Sequence, residues 1–378
     1  MIRRHHAPHL RLLAIAAVIW LALPLTAWAW GAGTHHYIAQ NYSKSLPSFM
    51  DGLRTYDSVV DLHVTDPDTR KGSTPGEAPK HFMDVDWYPE FLAGTLTHSR
   101  SALEAQYGAT TVSANGVLPW AIGDAMTTLT SQFQAQQWSS AALTIADLCH
   151  YVGDLNQPLH CTQNYDGAMT GNSGIHSRYE TSMMTTYLGQ LTTPATPVTY
   201  YASPVDAVFD TLTASWGGVS GILAADNTAK AASGGSYNST YYASLWNSTQ
   251  AMTRLRVNAA AAMTASMVYT AWRNAGEPTV PGSTTGVAPA LATGVRLDAG
   301  PTLFHDRLTV RYAGAGPLSV DVLDVRGARV ARLVEGASGA GSVTWGRSGA
   351  TGPVAPGMYF VRLTGPGVNM VRRVTLLD

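Results

Sequence analysis

The chain has little charge and almost no cysteine. Asp, Glu, Lys and Arg make up 13% of its 378 residues and sum to a formal net charge of -1. No global field therefore draws it to nucleic acid or to an anionic membrane, and recognition of a charged substrate has to be local. Two cysteines, Cys149 and Cys161, exclude a disulfide framework, although a single bridge between them stays open. What the chain does have is apolar content, 45%, enough for two domains and a sizeable core, and twelve histidines against 25 carboxylates.

The first residues read as a secretory signal. Arg3, Arg4 and Arg11 give a basic start, Leu12 to Leu25 is apolar, and Ala27-Trp28-Ala29 has the small-x-small pattern of a cleavage site. The alternative, a membrane anchor, is opposed by the shortness of the run and by Pro24 near its end. Residues 1–29 are thus expected to be a signal peptide, removed near Ala29 as the chain passes through the periplasm to the cell surface or medium. Trp30 would become the new N-terminus, and its free α-amine is a competent metal ligand.

From Trp30 to Gly276 the pattern is mainly helical. Thr34 is placed to cap a helix through Ile38, Tyr42 and Leu46, and Asp66 to Pro79 reads as a loop. His81 precedes an alternating segment, HFMDVDWY. Pro119 suits the first turn of a helix from Trp120 to Gln137, and another begins near Ser139. Pro204 to Trp216 and Ser239 to Trp272 are helical by periodicity. Residues 277–299, rich in Pro, Gly, Thr and Ala, read as a linker. Beyond them Leu308–Tyr312, Leu318–Val325, Ala328–Val334, Ser342–Trp345, Met358–Thr364 and Asn369–Leu377 alternate between turn residues, as in a small antiparallel β-sandwich.

The chemistry concentrates in LCHYVGDLNQPLHC, Leu148 to Cys161. On a helix through Leu155, His150 and Asp154 stand at i and i+4 on one face; Pro158 ends helical geometry, and His160 follows. After the loop Gly167 to Gly174, His176 and Glu180 repeat the same spacing. Each histidine alone has an ordinary reading as a hydrogen-bonded core or surface side chain. Two His-x3-acid pairs together with His160, His81 and the Asp66/Asp68 pair suggest more than one metal ion, because scattered core histidines have no reason to choose carboxylates one turn away. The β-region has one histidine, His305, so the chemistry is expected upstream of it.

WGAGTH, EAPKHFMDVD, HYVGDLNQPLH and GIHSRYE, in that order, resemble the superfamily of zinc-dependent phospholipase C and the single-strand-specific zinc nucleases, over roughly Trp30 to Gly276. The resemblance implies a helical domain holding three zinc ions and a secreted hydrolase that cleaves phosphodiester bonds by attack of a zinc-activated hydroxide. Trp30, through its amine and carbonyl, and His35 would hold one ion together with Asp154. Asp154 would bridge to a second ion completed by His81, His150 and an aspartate of the TDPD segment, and the third would take His160, His176 and Glu180. His35 rather than His36 has the family's spacing from the tryptophan. Asp68, three residues before Lys71, matches the family's aspartate and would also act as catalytic base, whereas Asp66 fits the nucleases' longer distance to the histidine. Asp147 and Asp84 are candidates to orient the ligands.

The substrate stays open between a phospholipid head group and single-stranded nucleic acid. Glu180, where the nucleases carry Asp, and the short interval from His160 to His176 resemble phospholipase C; Trp30-Gly-x-x-x-His and the Ile38-Ala-Gln run resemble the nucleases. A non-catalytic, zinc-stabilised surface module is the remaining alternative. Residues 300–378, with DVLDVRGARVARLVEG and VAPGMYFVRL, resemble the immunoglobulin-like sorting domains of type IX secretion substrates. This implies the secretion machinery as a partner, and no stable protein partner is expected besides it.

Overall fold

Most helix boundaries follow the punctuation of the sequence. Pro119 is the second residue of the helix Leu118–Gln134, and Pro204 opens Pro204–Trp216, where the Ser203 hydroxyl accepts from the Asp206 amide. The Asn238 side chain accepts from the amides of Thr240 and Tyr241 at 3.0 and 3.1 Å and starts Ser239–Asn274, which stops just before Gly276 at φ 86°. The computed structural model describes residues 30–283, 296–300, 303–314, 316–339, 341–349, 352–365 and 368–377. The signal segment and most of the linker read from the sequence lie outside these residues.

The chain divides into two compact units, one ending at Ser283 and the other beginning at Thr284. The first is helical. At its centre runs Trp138–Leu155, apolar on nearly every side, which packs against Leu118–Gln134, Ser239–Asn274, Asp57–His63 and Ala32–Ala39. A helix surrounded in this way is apolar all round, and any polar side chain it carries must find a partner inside the protein. His150 and Asp154 are the imidazole and the carboxylate it carries fully inside.

The second unit is a sandwich of two main sheets, with a short two-stranded pairing of Ser348–Gly349 and Gly352–Pro353 beside them. One is three-stranded and antiparallel, in the order Arg296–Gly300, Arg307–Ala313, Gly341–Gly346. The other runs Leu303–Phe304, Val368–Leu376, Gly357–Gly365, Leu318–Leu323, Arg329–Ala337, antiparallel except for the short pairing of its first two strands. Leu308, Val310 and Trp345 from the first sheet share one buried core with Val320, Val322, Val361 and Leu363 from the second. The registers Val322 opposite Val361 and Val320 opposite Leu363 keep each alternating apolar set on the inner face. Each such side chain taken out of water contributes about 1.5–3 kcal/mol before conformational entropy opposes it.

Several local readings are corrected. Thr34 is not a cap: the first helix is Ala32–Ala39, with Thr34 itself buried inside it, and Tyr42–Ser45 is a separate 3₁₀ turn. Asp66–Arg70 is a short helix within the expected loop, started by Pro67 near its N-terminus. The alternating segment at His81 forms two 3₁₀ turns, Ala78–His81 and Val85–Trp87, instead of an extended run. The helix Val219–Ala232 was not anticipated, and the strand Arg296–Gly300 falls within the stretch that composition assigns to the linker.

Candidate metal centre

The end of the central helix builds half of the site. His150 and Asp154 project from one face, with His150 Nε2 3.3 Å from Asp154 Oδ2 and both side chains wholly buried. The helix stops at Leu155, the Gln157 side chain accepts from the Leu159 amide at 3.1 Å, and the 3₁₀ turn Pro158–Cys161 swings His160 round. Two carbonyls then fix how these imidazoles face. His150 Nδ1 donates to Val64 O at 2.8 Å, and His160 Nδ1 donates to His81 O at 2.7 Å. A carbonyl only accepts, so the proton is on Nδ1 in both rings and each Nε2 turns a lone pair into the site.

Other segments bring the remaining groups. His35, on the first helix, stacks on His150 with ring centroids 3.9 Å apart, and its Nε2 is 3.4 Å from Asp154 Oδ1. His81 Nδ1 lies 2.9 Å from Asp154 Oδ2 and 3.0 Å from His150 Nε2. Asp68 Oδ1 is 3.6 Å from His150 Nε2, 3.8 Å from His81 Nδ1 and 2.6 Å from Lys71 Nζ. His176 and Glu180, carried by the turn Ile175–Ser177 and the π-helix Arg178–Met183, meet at 3.0 Å; His160 Nε2 is 3.0 Å from His176 Nε2 and 3.4 Å from Glu180 Oε2.

Three sets of ligand-type atoms result: His35, His150 and Asp154; Asp68, His81 and His150; and His160, His176 and Glu180. Within each set the atoms lie within 4.8 Å of one another, so one cation can reach them all. Asp154 ties the sets together, because its Oδ1 faces both His35 and His160 at 3.4 Å while Oδ2 faces His81 and His150.

The electrostatics suit cations. Burial opposes charge on Asp154, yet the imidazoles of His150 and His160 outweigh it and hold the carboxyl well below the usual range. Glu180 is likewise brought to about 2 against the pull of burial, by His176 and His160. Burial drives His81 down to about 4 and lowers His150, keeping both neutral. His35 and His176 move the other way: burial lowers them, but Asp154 and Glu180 respectively raise them further. Asp154 Oδ1, Glu180 Oε1 and His81 Nε2 are buried without a hydrogen-bond partner. Carboxylate oxygens and imidazole nitrogens converging at 3 to 4 Å are a donor set suited to divalent cations such as zinc.

The structure thus brings His35, Asp68, His81, His150, Asp154, His160, His176 and Glu180 to one place. Asp66 is elsewhere, paired with His63 at 2.7 Å near the surface, and His36 pairs with Asp61 at 2.8 Å. Trp30 is fully buried with its indole 5.9 Å from Tyr179, and Gly31 abuts the backbone at Glu180 and Thr181, which sets this end of the helix beside the third group. Cys149 and Cys161 are both free and buried.

Of the candidate orienting residues, Asp147 binds Arg70 at 2.8 Å, and Arg70 also approaches Glu77 at 3.4 Å. Glu77 accepts from the Tyr151 hydroxyl and sits 3.9 Å from His81 Nε2. Sequence reasoning passed over Glu77, although it stands four residues before His81. Asp84 lines a cavity of about 370 Å³ that opens beside the groups, together with Lys71, Phe82, Leu159, Tyr165, His81, His160 and His176. Burial, then the neighbouring Asp86, push its carboxyl up to about 7.

No family model and no curated protein matches the chain. Among solved structures it is similar to the alpha-toxin of an avian Clostridium perfringens strain, with TM-score 0.43 and 11% identity over 93% of this chain and 99% of that one. A second similar structure, the alpha toxin of Clostridium absonum, gives 0.40 and 10% over 93% and 96%. At this level the likeness transfers no residue roles, and the reading of the site rests on its own side chains.

Proposed function

We propose that the protein is a zinc-dependent phosphodiester hydrolase with three zinc ions per chain, acting on phospholipid in the manner of phospholipase C. The observation that carries this reading is the convergence of the eight buried side chains on three sets linked through Asp154, next to an open cavity. A structural zinc site is closed by four protein ligands, whereas the third set offers only His160, His176 and Glu180 and leaves room for water or phosphate. His35 and Asp154 would hold one ion with the Trp30 backbone, Asp68, His81, His150 and Asp154 a second, and His160, His176 and Glu180 the third. When bound, the ions supply Lewis acidity: they acidify water and neutralise phosphate oxygens as charge builds.

The chain's own groups do the remaining work. Asp68, steadied by Lys71, faces the second set and accepts a proton from the attacking water. Among the described residues Lys71 is the single Lys or Arg lining the cavity and offers a charge to the phosphate, while Phe82, Leu159 and Tyr165 give apolar walls for the rest of the substrate. The balance of charge favours lipid over a polyanion: residues 30–283 carry 11 Lys and Arg against 19 Asp and Glu, a net of 11 − 19 = −8. A single-strand-specific nuclease is the second reading, favoured by Phe82 at the cavity wall, where a base can stack.

The test uses protein beginning at Trp30, loaded with zinc and offered phosphatidylcholine vesicles and single-stranded DNA side by side. Release of a phosphorylated head group is expected. Cleavage of DNA alone replaces the lipid reading by the nuclease one, and turnover of neither by a zinc-loaded protein leaves the non-catalytic module.

A further inference from the structure

We propose that Arg178 and Asp226 form a clamp that positions His176 and Glu180, so that the third set of ligands is held together only while this buried ion pair is intact. The proposal rests on the metal reading of His160, His176 and Glu180. Arg178 lies between the two ligands in the chain, yet its side chain points away from them. Its NH2 donates to Asp226 Oδ1 at 3.0 Å and to Asn172 O at 3.1 Å, its NH1 to Ser173 O at 2.7 Å, and its Nε to the Tyr241 hydroxyl at 2.9 Å. The Tyr237 ring covers the guanidinium with its centroid 4.2 Å away.

Asp226, wholly buried on the Val219–Ala232 helix, also takes Lys230 Nζ at 2.8 Å, Asn172 Nδ2 at 2.6 Å and the Tyr241 hydroxyl. One knot therefore joins the loop before His176, the segment that carries both ligands, and the two helices behind them. The loop closes tightly over it: Gly174 has φ +83°, and a Cβ there would sit 2.6 Å from Arg178 NH1.

Two physical arguments make this a positioning device. A buried ion pair is a poor source of net stability, since well-packed apolar residues of similar volume often do as well; what the Arg178–Asp226 pair supplies is one defined arrangement. The ligands also sit where the chain departs from α-helical geometry. Glu180 belongs to the π-helix Arg178–Met183, a hydrogen-bond register that is rare and needs outside support. With Arg178 tied at four points, the backbone on both sides of it is fixed, and the 3.0 Å approach of His176 to Glu180 follows.

Full-length protein stripped of metal and titrated with cobalt(II) tests the clamp through the visible absorption of the bound ion. Glu180→Gln defines the part of the spectrum that belongs to the third set. Arg178→Met and Asp226→Asn should lose that same part, with cobalt affinity there falling about 10- to 100-fold, the range found when residues behind metal ligands are changed, while the rest of the spectrum persists. Arg178→Lys, which keeps the charge without the fork, should recover part of it. Tyr241→Phe removes one hydroxyl from the knot and keeps both charges, so it carries the test if the charge variants fail to fold, and a several-fold loss is expected. An unchanged third component in folded Arg178→Met or Tyr241→Phe overturns the clamp. Wild-type protein that takes up no cobalt overturns the metal reading as well, which separates the two failures.

Discussion

Gly153 is the position where a substitution should leave the stability of the stripped protein nearly unchanged and still weaken metal binding. It lies inside the central helix, where replacing Gly by Ala ordinarily gains about 0.8–1 kcal/mol. A Cβ at Gly153, however, would lie 3.0 Å from His35 Nδ1, 3.1 Å from His35 Cε1 and 3.2 Å from Ile38 Cδ1. Ordinary contacts of this kind start near 3.5 Å, so the His35 ring has to retreat by about 0.5 Å. Its retreat disturbs the stacking of the ring on His150, with centroids 3.9 Å apart. Metal sites tolerate ligand displacements of about 0.2 Å, so a shift of this size breaks the geometry of the first set.

Gly153→Ala should therefore leave the stability of the chelated protein nearly unchanged, while zinc affinity of the first set falls at least about tenfold. Calorimetry of the chelated protein reads the first quantity, and competition against a chromophoric chelator reads the second. Unchanged zinc affinity in the folded variant would refute the placement of His35 among the ligands. A gain of the full helix propensity, about 0.8–1 kcal/mol, in the chelated protein would show that the new methyl group meets no strain and would refute the contact with His35.

Proton linkage gives two further tests. His35 and His176 have raised pKa values and so hold protons more readily in the stripped protein, which metal uptake must displace, whereas burial keeps His81 and His150 neutral. Calorimetric titrations in buffers of different ionisation enthalpy should show proton release that grows as pH falls from 8 towards 6, and release that is independent of pH would contradict the assignment. Glu180 is lowered from 4.5 to about 2, so the stability it contributes is present above pH 4.5 and is lost as pH falls from 4.5 to 2. In the chelated state the difference in unfolding free energy between wild type and Glu180→Gln should shrink by about 3 kcal/mol across that window, read from urea unfolding curves.

The parts of this protein that were legible in its sequence are those that local chemistry decides. His150 and Asp154 share a helix face because they are four residues apart, and Pro158 must interrupt the chain before His160 whatever surrounds it. The β-strands follow from alternation, which survives because one face of each sheet is buried. What stayed hidden depends on residues far away. Thr34 offers the side chain of a helix cap, but burial of Trp30 pulls the start of the helix back to Ala32 and puts Thr34 inside. Val219–Ala232 has few large apolar residues and buries Asp226 among alanines, which no local pattern announces. Its meaning lies in Arg178, 48 positions earlier. Asp66 and Asp68 are chemically alike, and only the helix over Asp66–Arg70, turning Asp68 inward and Asp66 towards His63, separates them.

The same long-range contacts imply that the sets are not independent. His160 belongs to the third set, yet its Nδ1 proton is held by the carbonyl of His81, and its own carbonyl accepts from the Met83 amide at 2.9 Å. The backbone that carries a ligand of the second set is thus the partner that orients a ligand of the third. Asp154 adds a second link, with Oδ1 facing His160 and Oδ2 facing His81. A displacement of His81 accordingly alters both the tautomer and the direction of His160, since imidazole orientation is governed by the hydrogen bond on its other nitrogen. The fourteen residues from Leu148 to Cys161 therefore do more than supply ligands on either side of a helix break. Through the hydrogen bonds of His160 they couple the geometry of one set to that of the next.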